Sequence, residues 1–145
     1  MAGYSGTPLP KKLGIKDGQR VALVGIPASV KAQLKSALAG CEVVKPSALL
    51  NFVMLFVKTQ ADLKKEFVSL AKKLAPAGIL WVSWPKKSSG VGSDLDENIV
   101  RRIGLEIGLV DVKVCAVDDV WSGLKFVIRV KDRQARLAMR RVAPG

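Results

Sequence analysis

The chain predicts an α/β domain of three layers, with a mainly parallel sheet and a C-terminal antiparallel hairpin. Three observations carry this. Residues 21–26, 52–57 and 79–84 are short, almost wholly apolar runs, as parallel strands covered on both faces should be. Between them, apolar residues recur every three or four positions, the pattern of helices with one buried face. Near the C-terminus, residues 110–117 and 124–130 alternate apolar and polar side chains in part. A short polar link containing Gly123 joins them, which is a hairpin signature. At 145 residues, 49% of them hydrophobic, the chain is expected to form one domain with an ordinary core.

Each element has a local reason. Residues 1–20 hold Gly3, Gly6, Pro8, Pro10, Gly14 and Gly18. That composition predicts an extended arm rather than a helix, anchored by Leu9, Leu13 and Ile15. Lys16-Asp17-Gly18-Gln19 reads as the turn into the first strand. Pro27 ends that strand, and Ser29 is expected to cap the following helix, whose buried stripe is Val30, Leu34 and Leu38. Gly40 stands where a helix stops. Residues 41–44 form a short strand and residues 52–57 a strong one.

Thr59 or Gln60 opens a helix over 60–75. Leu63, Phe67, Leu70 and Leu74 face the sheet, and Lys64, Lys65, Lys72 and Lys73 face outward. Pro76 and Gly78 end that helix. The run 79–84, with Trp81 in the core, stops at Pro85, which has no N–H for a ladder. Residues 86–93 are a polar loop. Asp94 or Ser93 is expected to cap the next helix, with Glu97 completing a capping box. Leu95, Ile99, Ile103 and Ile107 form its stripe, and Gly108 its end. Asp118 and Asp119 precede the hairpin turn. The division expected is an arm over 1–20, one α/β domain over 21–131 and a basic tail over 132–145.

Composition narrows the chemistry. The sequence has no histidine, so it lacks the commonest general base and metal ligand. Two separated cysteines, Cys41 and Cys115, make a zinc site or disulfide framework unexpected; both read as small buried hydrophobes. No metal and no catalytic residue is assigned. No run is long and apolar enough to cross a membrane, and no signal segment opens the chain, so a cytoplasmic, membrane-free protein is expected. The net charge of +12 is concentrated in the N-terminal arm, the helix over 60–75 and the tail. Such a surface attracts nucleic acid.

Ligands of open α/β sheets sit beyond the carboxyl ends of the strands. The loop after residue 85 is therefore the prime site candidate. Lys86, Lys87, Ser88 and Ser89 offer two ammonium groups and two hydroxyls to an anion. Ser83 and Trp84 end the preceding strand, Trp84 and Trp121 are expected to flank the loop, and Gly25 ends the first strand. A second, weaker candidate is a nucleic-acid contact through Arg133, Arg136, Arg140 and Arg141 of the tail. A homodimer through the hairpin edge is a further possibility.

Two resemblances follow from these residues. Leu-Gly-Ile-Lys-Asp-Gly-Gln-Arg-Val (13–21), Leu-Trp-Val-Ser-Trp-Pro-Lys-Lys (80–87), Gly-Leu-Val-Asp-Val-Lys-Val-Cys-Ala-Val-Asp (108–118) and Trp-Ser-Gly-Leu-Lys (121–125) resemble a family of small bacterial proteins. That family is described only as a domain of unknown function. Leu-Ala-Pro-Ala-Gly-Ile-Leu-Trp-Val (74–82) is similar to a turn and strand of class I S-adenosylmethionine-dependent methyltransferases. This implies a trimmed, Rossmann-like version of that fold, shorter by about one strand–helix unit, with the first strand leading to the cofactor's glycine loop. Here that loop is Gly25-Ile26-Pro27-Ala28-Ser29, with a single glycine. No acidic residue closes the second strand to hold ribose hydroxyls; Glu42 lies at its start and Lys45 nearer its end.

The sequence therefore predicts a non-catalytic binding or accessory module with no cofactor. Two alternatives stay open: a divergent S-adenosylmethionine-dependent methyltransferase, and a nucleic-acid-associated basic protein. An anionic ligand or nucleic acid is the expected partner.

Overall fold

The computed structural model describes residues 7–135. Among these, six strands form one sheet: β1 (Arg20–Val24), β2 (Glu42–Val43), β3 (Leu50–Phe56), β4 (Leu74–Pro85), β5 (Leu109–Ala116) and β6 (Trp121–Ile128). The helices are α1 (Leu9–Leu13), α2 (Ala28–Leu38), α3 (Gln60–Ala71) and α4 (Glu97–Glu106), and residues 130–135 are helical as well. The strand order is β2-β1-β3-β4-β6-β5. The first four strands are mutually parallel; β6 is antiparallel to both β4 and β5. The hairpin thus inserts its antiparallel strand inside the sheet and leaves β5 at the edge.

The apolar runs become β1, β3 and β4 because they are buried from both sides. Phe52, Val53, Met54 and Leu55 of β3 are all fully buried, as are Leu80, Trp81 and Val82 of β4. Alternate residues feed two cores. Val53, Leu55, Leu80, Val82 and Trp84 meet Leu63 and Phe67 of α3 and Val100 and Ile103 of α4. Phe52, Met54 and Trp81 meet Leu9 and Leu13 of α1 and Val30 and Leu34 of α2 on the other face. The layers are therefore helices, sheet, helices, as expected.

Several local expectations change. Residues 9–13 are a helix, not an extended arm, because Leu13 and Trp81 hold it down. The buried Trp81 indole N–H donates to the Leu13 carbonyl at 2.8 Å, and a five-residue helix needs such tertiary contacts to form. Ser29 does not cap α2; Pro27 holds the cap position and makes no side-chain bond. The helix before β4 ends at Ala71, and Leu74 already pairs with Leu50. Ala75 to Gly78 then bulge from the strand before Ile79 pairs with Phe52. Asp96, not Asp94 or Ser93, caps α4, accepting from the Ile99 N–H at 2.9 Å. Leu95 and Ile103 are buried, but Val100 and Gly104 complete the inward face while Ile99 and Ile107 pack at its rim.

Arg101 ties α4 to the sheet edge. Its guanidinium donates to Glu97 at 2.6 Å and to Asp111 of β5 at 2.8 Å. These bonds, Glu97 first and Asp111 second, hold it still more firmly protonated. Beneath it, Gly104 leaves room for the Phe126 ring, which meets Phe67 edge-on at 4.9 Å. A Cβ at Gly104 would run into that ring. Gly104→Ala is therefore expected to lose about 1–3 kcal/mol by overpacking, despite alanine's better helix propensity. Urea unfolding of the variant checks this.

Candidate functional site

The polarity of the sheet points to one place. The chain leaves β1 for β2 on one side, then returns to β3 on the other, so the strand order reverses between β1 and β3. A crevice outside their carboxyl ends is where open sheets of this kind bind ligands. A cleft of ≈ 520 Å³ opens there, lined by Gly25, Pro27, Phe56, Val57, Lys58, Asp62, Val91, Val120 and Trp121. That is within the size range of small-molecule sites.

Its floor depends on Gly25. This residue has φ +70°, and a Cβ on it would stand 2.8 Å from the Phe56 carbonyl oxygen. The ends of β1 and β3 can approach only without a side chain there. Pro27 then starts α2 with extended backbone, and no side chain caps the helix. The first N–H groups of α2 therefore remain unpaired by a cap at the rim of the cleft.

The far wall is held by the loops after β4 and β5. Asp118 Oδ1 accepts from the Val120 and Trp121 N–H groups at 2.8 and 2.7 Å. The Lys86 N–H donates to the Val120 carbonyl at 2.7 Å. The Lys86 ammonium donates to the Asp118 carbonyl at 2.8 Å. These bonds seat Trp121, whose ring meets Phe56 edge-on with centroids 5.1 Å apart. The loop after β4 is fastened as well. The Ser93 hydroxyl donates to the Lys58 carbonyl at 2.7 Å, and Asp94 accepts from the Gln60 N–H at 2.8 Å. Asp94 thus serves α3 across the loop, and Val91 is brought onto the cleft.

The structure gathers two of the expected site residues, Gly25 and Trp121, at this cleft. The others lie elsewhere. Trp84 does not flank the loop with Trp121: it is on the opposite face of the sheet, buried in the core beside α3 and α4, because residues 84 and 121 have opposite strand parity. Ser83 is fully buried next to Phe56 in register, and its Oγ makes no hydrogen bond among the described residues. Lys86 is engaged as described. Lys87 and Ser88 are exposed, and Ser89 Oγ closes a short 3-10 turn by donating to the Lys86 carbonyl at 2.6 Å. None of residues 86–89 lines the cleft. Arg133 Nε donates to the Ile128 carbonyl at 3.0 Å. Arg136, Arg140 and Arg141 lie outside the described residues.

No motif in the sequence singles out Lys58, Asp62, Val91 or Val120. Lys58 and Asp62 follow a strand's carboxyl end, which was the available signal. Val91 and Val120 arrive only through the loop bonds above. β2 also differs from the expectation. It spans two residues, paired with the start of β1, and neither Glu42 nor Lys45 lines the cleft. The short β2 places no acidic residue in the lining of the cleft. Cys115 is buried and Cys41 half-buried; burial pushes the Cys115 thiol up, against the opposing pull of Lys12 and Lys113. No helix among the described residues is long and apolar enough to cross a membrane.

This fold is shared with S-adenosylmethionine-dependent methyltransferases. A SAM-dependent methyltransferase from Aquifex aeolicus matches with a TM-score of 0.59 and 15% identity, over 83% of this chain and 88% of its own. Precorrin-6y C5,15-methyltransferase from Geobacter metallireducens matches with a TM-score of 0.55 and 11% identity, over 83% and 85%. Aeropyrum pernix fibrillarin, solved with natively bound S-adenosyl-L-methionine, matches with a TM-score of 0.51 and 13% identity, over 83% and 69%. At these identities the likeness is one of fold. No family model matches the chain, and no curated protein matches its sequence. The resemblance to a bacterial family of unknown function therefore has no support, while the methyltransferase-like architecture stands. The expected non-catalytic accessory module is corrected by the same neighbours, which favour the methyltransferase alternative.

The Ser83 hydroxyl carries a desolvation cost that no bond among the described residues offsets. Ser83→Ala is expected to raise stability by about 1 kcal/mol, read as a higher urea midpoint with an unchanged slope.

Proposed function

We propose that the cleft between the ends of β1 and β3 binds S-adenosylmethionine and that the chain is a divergent methyltransferase. The observation that carries this is the cleft itself. It sits at the switch point of a sheet whose structural neighbours are S-adenosylmethionine-dependent methyltransferases, and its floor is a glycine that no other residue can replace without moving β3. When bound there, S-adenosylmethionine supplies an electrophilic methyl group on a sulfonium centre.

The lining residues fit the parts of such a molecule. Phe56 and Trp121 offer ring surface to a flat base or to a cationic centre. Val57, Val91 and Val120 exclude water. Asp62, in the first turn of α3, is the carboxylate of this lining and suits ribose hydroxyls or an ammonium group. It takes over from the acid that the short β2 cannot place. Lys58 and the uncapped start of α2 suit a carboxylate. With no histidine in the chain, Asp62 is also the group here that can take up the proton of an N–H or O–H methyl acceptor.

Calorimetric titration of S-adenosylmethionine into the full chain at low salt is expected to give a micromolar dissociation constant and a rise in melting temperature on saturation. Asp62→Asn should weaken binding roughly tenfold, about 1.4 kcal/mol, and leave the ligand-free melting temperature nearly unchanged, since Asp62 is exposed. Absence of both heat and stabilisation at millimolar cofactor would overturn the reading.

A further inference from the structure

A second site lies away from the cleft, where α1 packs on the sheet edge. There a cavity of ≈ 440 Å³ is lined by Thr7, Lys11, Lys12, Lys113, Val114, Cys115 and Ala116. It shares no lining residue with the first cleft. Its charges are assembled by register. Lys113 of β5 stands directly opposite Lys125 of β6, and both fall on the α1 face of the sheet, where Trp81 is the cross-strand partner of Lys125. The Lys113 ammonium reaches the Lys12 carbonyl at 3.5 Å, and the Lys12 ammonium donates to the Ala116 carbonyl at 3.0 Å. Lys11 joins them from the last turn of α1.

Like charges directly opposite on neighbouring strands are destabilising. Among the described residues no carboxylate pairs with Lys113 or Lys125 to offset that repulsion. Lys11, Lys113 and Lys125 form no ion pair among the described residues; the pairs present there use Arg20, Arg101 and Arg102. Lys11, Lys12 and Lys113 around the cavity, Lys125 beside it opposite Lys113, a threonine hydroxyl and a volume of this size suit an anion with several acceptor oxygens.

We propose that Lys11, Lys12, Lys113 and Lys125 form a phosphate-binding site at the junction of α1 with β5 and β6. The phosphate belongs to a small phosphorylated ligand or to a nucleic-acid backbone, and salt separates these. A small ligand seated in the cavity binds at physiological ionic strength. Backbone contacts give an affinity that falls linearly with salt on logarithmic axes.

The test uses the full chain, with pyrophosphate by calorimetry and a fluorescein-labelled twelve-nucleotide RNA by anisotropy. The Lys113→Gln, Lys125→Gln double variant should lose tenfold or more in affinity for whichever probe binds. Its ligand-free melting temperature should rise at low salt, because the cross-strand repulsion is gone. Its affinity for S-adenosylmethionine should not change, which keeps this site separate from the first. The Lys64→Gln, Lys65→Gln control removes the same charge from the outer face of α3 and should leave both probes unaffected. The proposal is overturned if neither probe binds the natural chain, if the double variant binds within twofold of it, or if the α3 control loses as much.

Discussion

The structure depends on covering β3 and β4 from both sides. These two strands present almost no polar side chain on either face, so neither face can stay wet. α3 and α4 cover one face, and α2 covers part of the other. The remaining patch, over Trp81, is left to α1, a five-residue helix that two leucines and one indole hydrogen bond hold in place. Trp81 couples the N-terminal segment to the centre of the sheet, and α1 in turn sets one wall of the lysine-lined cavity. The need to bury one strand thus places a charged surface at the opposite end of the chain of contacts.

The same sheet determines where a ligand can sit. Strand order reverses between β1 and β3, and Gly25 lets their carboxyl ends close to within a carbonyl's reach. Above that point the loops after β4 and β5 are pinned by hydrogen bonds rather than left open. Asp118 holds the turn that carries Trp121, and Asp94 holds the loop that carries Val91. Of the polar residues that look like a ligand-binding loop in the sequence, Lys86 holds a neighbouring turn, Ser89 closes its own, and Lys87 and Ser88 are exposed. The Lys86 ammonium is spent on a main-chain carbonyl. β2 is short, and the carboxylate that lines the cleft, Asp62, comes from the first turn of α3 instead.

The strands, the hairpin and the inward stripes of α2 and α3 were legible in the sequence because each is encoded by periodicity within a dozen residues. What was not legible required contacts across the chain. α1 lacks local propensity and is made by Trp81. Leu74 reads as the end of a helix until Leu50 is known to pair with it. Asp94 precedes a helix, yet the N–H it serves belongs to Gln60, a separation no capping pattern encodes. Trp84 and Trp121 looked like neighbours; strand parity puts them on opposite faces. The facing of Lys113 and Lys125 depends on a register shift between Asp111 and Lys113, which a sequence pattern does not reveal.

The most direct test of the central claim is where S-adenosylmethionine acts on the molecule. Amide chemical-shift mapping of the isotopically labelled full chain, titrated with the cofactor, reads this residue by residue. Saturable shifts are expected, concentrated at Gly25, Val57, Lys58, Asp62 and Val91 and at the Trp121 indole, with Lys113 and Lys125 unmoved. Shifts confined to the α1 edge, or none at saturating cofactor, would contradict the central claim.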